Sequence, residues 1–281
     1  MQAPDPVAFT ILGTKIMWYG VLVASGFVTA IIISYLRAPK HGLKSDDVLD
    51  FALWMIPLSI VGARAYYVIF EWDMYKENPI GVFALRNGGL AIHGGLIAGV
   101  IVALLVCRYK KISFLELADL VFPSVALAQS IGRWGNFFNS EAHGGPTNLP
   151  WAIMVDGELV HPTFLYESLW CLFLFFLLLH IDKKRKFRGQ IVLLYGMLYS
   201  VERCLVEQLR TDSLMIGPFK QAQVLSISVF VLCLIAYIIL YNKEKKKGEL
   251  PPHQDQETTS EQLGKSALPP DSELPPDSVT K

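Results

Sequence analysis

Seven apolar runs, each close to the length a helix needs to cross the hydrocarbon core of a bilayer, constrain this chain more than any other feature. They fall at about 16 to 36, 51 to 70, 88 to 107, 112 to 132, 164 to 181, 189 to 209 and 221 to 241. Lipid cannot satisfy open backbone N–H and C=O groups, and the runs lack the alternation of a barrel strand, so helices are the expected spanning form. Composition agrees: 52% of the 281 residues are hydrophobic and 18% charged, with mean hydropathy +0.38, whereas a soluble domain is about 25% charged. These figures disfavour an ordinary water-soluble enzyme. The expected fold class is all-α, a polytopic integral membrane protein with seven transmembrane helices.

The 25 Lys and Arg balance 25 Asp and Glu overall, but they are unevenly spread. Fifteen basic residues follow the first, third, fifth and seventh runs, among them Arg37, Arg108, Lys183 to Lys186, Arg188 and Lys245 to Lys247, against six in the opposite-side segments. The positive-inside bias then places the N-terminus outside and the C-terminus in the cytoplasm. Residues 1 to 15 read as a short external arm, with Lys15 following a Pro-containing stretch rather than heading a cleavable signal. Residues 16 to 241 form the expected membrane domain. From 242 the chain reads as a basic stop, then a disordered tail in which 248 to 281 carries seven acidic and two basic residues and repeats LPPDS. Without that tail the body is +5, so the zero is a cancellation. The four cysteines sit in or beside the runs and match neither a disulfide framework nor a metal site.

Ionisable groups at membrane depth are costly, and so each is a functional candidate. In the sixth run Tyr199, Arg203, Glu207 and Arg210 recur at i, i+4, i+8 and i+11, which confines them to one helix face that must look into the bundle. The third run begins GGLAIHGGLIAG. There Gly95 and Gly99 make a pair suited to close helix approach, while Gly94 and Gly95 leave space around His93, as substrate access would need. After the fourth run, GRWGNFFNSEAHGG packs Arg133, Asn136, Asn139 and Glu141 into nine residues, in a stretch too rich in Gly and Asn to continue a helix. A cation flanked by amide donors at this depth suits a phosphate or carboxylate.

Gly132, Arg133, Gly135, Asn136, Phe137, Asn139, Glu141 and Gly144 together resemble the signature of the bacterial prolipoprotein diacylglyceryl transferases. Other family pieces arrive in order: Trp18 to Gly20, Gly62 to Arg64, His93 to Ile97, His161 to Glu167, and the YxxxRxxxExxR run from Tyr199 to Arg210. The resemblance covers about residues 16 to 241 and leaves the tail without a counterpart. It implies transfer of the diacylglyceryl group of phosphatidylglycerol to the lipobox cysteine thiol of prolipoproteins in the cell membrane, forming a thioether and releasing glycerol phosphate. No cofactor, metal or nucleic-acid partner is implied.

Such an alkyl transfer at an sp³ carbon forms no tetrahedral oxyanion, and so it needs a base for the thiol and positive charge on the departing phosphate. Arg133 and Arg203 are the candidates for the phosphate. His93 is the candidate base, and the alternative is that it only orients lipid. Tyr19, Asn136, Asn139 and Tyr199 are expected to bind the headgroup, and Glu141 and Glu207 to fix the arginines by ion pairing. Arg64, Gly144, Tyr166, Glu167 and Arg210 are supporting candidates, and the outer segment from about 137 to 163 is expected to form a cap that receives the lipobox peptide. Two rivals fit less well. A secondary transporter calls for repeated halves, which the sequence lacks, and an intramembrane serine protease calls for a Gly-framed serine that neither Ser130 nor Ser200 provides.

Overall fold

The computed structural model describes residues 5–85, 88–211 and 213–247. The expected tail, from residue 248, lies outside the described residues. The apolar runs become the long helices α1 (Trp18–Arg37), α2 (Ser45–Phe70), α4 (Ile92–Lys110), α5 (Phe114–Phe138), α6 (Thr163–Asp182), α7 (Gln190–Leu209) and α8 (Gln221–Lys247), with α3 (Trp72–Tyr75) a single turn. Six of the described helices are long and apolar enough to cross a membrane. The seventh, α7, matches α6 in length but carries Glu202, Arg203 and Glu207.

Several helix boundaries differ from expectation, α8 running on to Lys247 rather than 241, and three of the differences have a local reason. α2 starts at Ser45 rather than 51, because Asp46 and Asp47 suit the positive end of a helix and Asp47 accepts the Lys44 N–H at 3.2 Å. α4 starts at Ile92 rather than 88, because Gly88 and Gly89 take φ of 82° and 75°. α5 continues through Gly132 and Asn136 to Phe138, so the Gly- and Asn-rich stretch is helical after all. Gly135 is there for packing, since a Cβ at that position would stand 2.7 Å from the Tyr19 ring.

The long helices alternate in direction, so that the starts of α1, α4, α6 and α8 meet the ends of α2, α5 and α7. Three short hairpins cover this end: β1 (Val7–Ile11) with β2 (Thr14–Met17), β3 (Ile153–Val155) with β4 (Glu158–Val160), and β5 (Met215–Ile216) with β6 (Phe219–Lys220). The N-terminal arm is therefore strand rather than irregular chain from Val7. The β3–β4 hairpin closes over Phe137 and Phe164, whose rings stack at 5.0 Å, and this is the apolar floor of the outer segment between α5 and α6.

Glycines set the closest helix contact. A Cβ on Gly62 of α2 would stand 2.4 Å from Ala98, and one on Gly94 of α4 would stand 2.3 Å from the Gly62 carbonyl oxygen. Gly95 and Gly99 also face α2, at Ser59. Gly94 and Gly95 thus serve helix packing, while His93 between Ile92 and Gly94 stays exposed.

The opposite end is held by buried ions. Arg185 is 2% exposed, is paired with Glu116, and reaches Asp119 at 3.2 Å. Asp119 also accepts the N–H groups of Gly189, Ile191 and Val192 at 2.6, 3.0 and 3.0 Å, which fastens the start of α7 to α5. His41 bridges Glu116 at 2.8 Å and Asp182 at 3.0 Å, and Arg37 reaches Asp182 at 2.8 Å. Arg37 and Arg185, read from sequence as loop charges, are structural members of this cluster.

Candidate active site

Near the hairpin-covered end, α5, α6 and α7 each bring one charged residue to a common point. Arg133 Nη1 stands 3.0 Å from Glu167 Oε2, and Arg203 Nη1 stands 3.0 Å from Glu167 Oε1, so one carboxylate holds both guanidinium groups. Glu167 is 0% exposed, whereas the Arg133 and Arg203 side chains keep 21% and 20%. Each arginine is fixed to Glu167 through Nη1, and about a fifth of each side chain stays exposed. Arg203 also reaches Glu207 Oε2 at 2.7 Å, one helical turn along α7. Arg133 Nη2 donates to the Tyr199 hydroxyl at 3.2 Å, and the Tyr199 ring stacks on Tyr195 at 5.6 Å.

The polar stripe of α7 is therefore real and faces α5 and α6. Tyr199, Arg203 and Glu207 all join the cluster. Arg210, just past the helix, pairs by backbone with Gly144, and Gly145 donates to the Leu209 carbonyl at 2.9 Å. Gly144 is required there because a Cβ would stand 2.7 Å from that of His161 and 3.0 Å from the Leu209 carbonyl oxygen. Lys220 caps the same helix end, donating to the carbonyls of Glu207 at 2.7 Å and Arg210 at 2.9 Å.

Glu141 does not take the place expected of it. Its Oε1 accepts from Asn136 at 2.9 Å and Asn139 at 3.3 Å, forming a turn-stabilising knot at the end of α5, and the carboxylate against Arg133 is Glu167. Tyr166 accepts from Trp151 at 2.9 Å and lies 3.3 Å from His161, which ties the start of α6 to the outer segment. Tyr19 lies over Gly135, two residues and about half a turn along α5 from Arg133.

Two candidates stand apart. Arg64, 6% exposed, donates to the carbonyls of Gly81, Val82, Gly88 and Gly89 at 2.8 to 2.9 Å, so it organises the loop before α4 and has no edge left for a ligand. His93 lies on the first turn of α4, exposed, with its ring 6.1 Å from that of Tyr66. No contact among the described residues joins His93 to the arginine cluster. Lys220 was not foreseen, because its ligands are helix-end carbonyls and leave no side-chain motif.

A bundle of long apolar helices, six of them long and apolar enough to cross a membrane, defines a multi-pass membrane protein, here with two arginines gathered at one end. The sequence model of the prolipoprotein diacylglyceryl transferase family matches residues 6–239. A protein of Clostridioides difficile (strain 630) named phosphatidylglycerol–prolipoprotein diacylglyceryl transferase is 50% identical over 241 residues, covering 86% of this chain and 97% of its own. Proteins of the same name from Finegoldia magna (50% over 244 residues, 86% and 97% covered) and Listeria monocytogenes serotype 4a (45% over 257 residues, 87% and 92% covered) are similar in the same way. The chain belongs to the prolipoprotein diacylglyceryl transferase family, and it is a transferase.

Proposed function

We propose that this chain transfers the diacylglyceryl group of phosphatidylglycerol to the lipobox cysteine thiol of prolipoproteins, with Arg133 and Arg203 holding the phosphoglycerol headgroup. The observation that carries the site assignment is the pair of arginines fixed by one buried carboxylate while a fifth of each side chain stays exposed. A guanidinium fork grips phosphate through two N–H donors and cannot lose its proton, so positive charge persists as the phosphate leaves. Because Glu167 already orients both forks, binding requires little reorganisation, which is how such a site lowers a barrier.

The thiol sulfur attacks the terminal glyceryl carbon and the carbon–oxygen bond to phosphate breaks, its electron pair leaving with glycerol phosphate. Nucleophile and leaving group lie on opposite sides of the carbon in such a displacement. A base for the thiol therefore belongs at the same end of the bundle but outside the phosphate clamp, which is the position of His93. His93 takes the thiol proton. Tyr199 borders the clamp, Tyr19 packs on Gly135 of the same helix as Arg133, Asn136, Asn139 and Glu141 form the knot at the end of that helix, and Gly144 with Arg210 couples the outer segment to α7.

The charge distribution supports seven crossings in the bacterial cell membrane, with the hairpin-covered end outside and Lys245 to Lys247 cytoplasmic. The outer segment over Phe137 and Phe164 is then placed to receive the lipobox peptide. Purified protein incubated with phosphatidylglycerol vesicles and a lipobox peptide is expected to yield peptide heavier by one diacylglyceryl group, with glycerol phosphate released in equal amount. Unmodified peptide would overturn the assignment.

A further inference from the structure

One carboxyl group near the arginine clamp has no assigned work. Glu202 on α7 is 4% exposed, and neither of its oxygens has a hydrogen-bond or ion-pair partner among the described residues. It follows Tyr199 by three residues and precedes Arg203, and it lies within electrostatic reach of Arg133, Glu167 and Arg203. The clamp's two positive charges are already matched by Glu167, which bridges both arginines, and by Glu207. A third ionised carboxylate would give the cluster a net negative charge where an anion is to bind, and a buried unpaired carboxylate is strongly disfavoured.

We propose that Glu202 is a protonated carboxyl of the headgroup site, donating its O–H to the phosphate that Arg133 and Arg203 hold. In this form it adds a donor and no charge, and it satisfies its own buried polar atoms only when the anion is present. Ionisation would turn that donor into a repelling charge. The charged and titratable groups close enough to act on it electrostatically are Arg133 from α5, Glu167 and Cys171 from α6, and Tyr199 and Arg203 on its own helix. From α8, Cys233 lies against Gly196, and residues 221 to 240 carry no charge. Among the described residues the cations near it are Arg133 and Arg203, and both are already paired with Glu167. The inference rests on the phosphatidylglycerol reading of the site.

The test compares full-length Glu202→Gln and Glu202→Met with the parent protein in phosphatidylglycerol vesicles. Lipid Kd is read by intrinsic tryptophan fluorescence, KM and kcat by peptide modification, and folding by thermal unfolding. Gln keeps a neutral donor, so Kd and KM are expected within about twofold of the parent. Met fills the volume without a donor, so both are expected to rise about tenfold, the loss of one hydrogen bond to a charged group, with kcat changed less. Affinity of the parent should fall as pH rises, and that fall should be absent in Gln. Parent-like affinity in a folded Met variant, or equal impairment of Gln and Met, would overturn the proposal. Binding without peptide modification would instead overturn the transferase reading, and the Kd comparison would still decide the role of Glu202.

Discussion

Arg133 and Arg203 each hold Glu167 through one terminal nitrogen and a second protein group, Tyr199 or Glu207, through the other, and in the proposed mechanism their charge also serves the phosphate. Arg133→Ala or Arg203→Ala is expected to lower kcat/KM at least 100-fold, read by peptide modification, while the folded fraction stays high. Near-normal rates in both would remove the clamp. His93→Gln, which keeps a hydrogen bond but cannot take a proton, is expected to lower kcat with little change in the KM for phosphatidylglycerol. If that variant works normally, His93 orients lipid and is not the base. The two arginines were legible because one lies in a dense polar motif and the other recurs at helical spacing. Glu167 was legible only as a supporting candidate, since it reaches both arginines from a different helix and only the packing of α6 against α5 and α7 makes it their shared partner. Glu141 was misjudged for the converse reason: it is near Arg133 in sequence, but the end of α5 turns it onto Asn136 and Asn139.

At the scale of elements, helix contact depends on small residues and buried capping. Gly94→Val would drive a side chain into the Gly62 carbonyl and Tyr66, and a loss of about 1–3 kcal/mol is expected from overpacking, measured as a lowered midpoint of thermal unfolding in detergent. Asp119→Asn would leave Arg185 with one fewer counter-charge and weaken the cap on α7. A buried pair broken on one side costs about 3–5 kcal/mol, and unfolding of purified protein checks it. The existence and order of the long helices were legible from hydropathy, but their ends were not. Gly132 to Phe138 looked like a loop because Gly is a helix breaker in water, whereas here Gly135 makes room for Tyr19 and neighbouring helices supply the stability that propensity withholds.

For the whole molecule, the sign of every loop is a topological statement. A cysteine introduced at Asp156, on the β3–β4 turn, is expected to react with an impermeant maleimide added to intact cells, and one at Lys243 only after the cells are opened, each in a background whose native cysteines are replaced. The reverse pattern would invert the orientation. The charge count that supports this orientation was legible, although it pooled two kinds of residue. Arg185 is buried and Arg37 half-buried in ion pairs, so they anchor helices to one another in addition to marking a side.

The fastening of α7 at both ends bears on how the chain is made. Alone, a segment carrying Glu202, Arg203 and Glu207 would partition poorly from a translocation channel into lipid. Asp119 on α5 and Glu167 on α6 both precede it in the chain, so the groups that receive its free N–H donors and its arginine are already in the membrane when it emerges. Lys220, the residue before α8, then closes its carbonyl end as synthesis proceeds. The insertion of α7 is therefore expected to depend on α5 and α6 being in place before it.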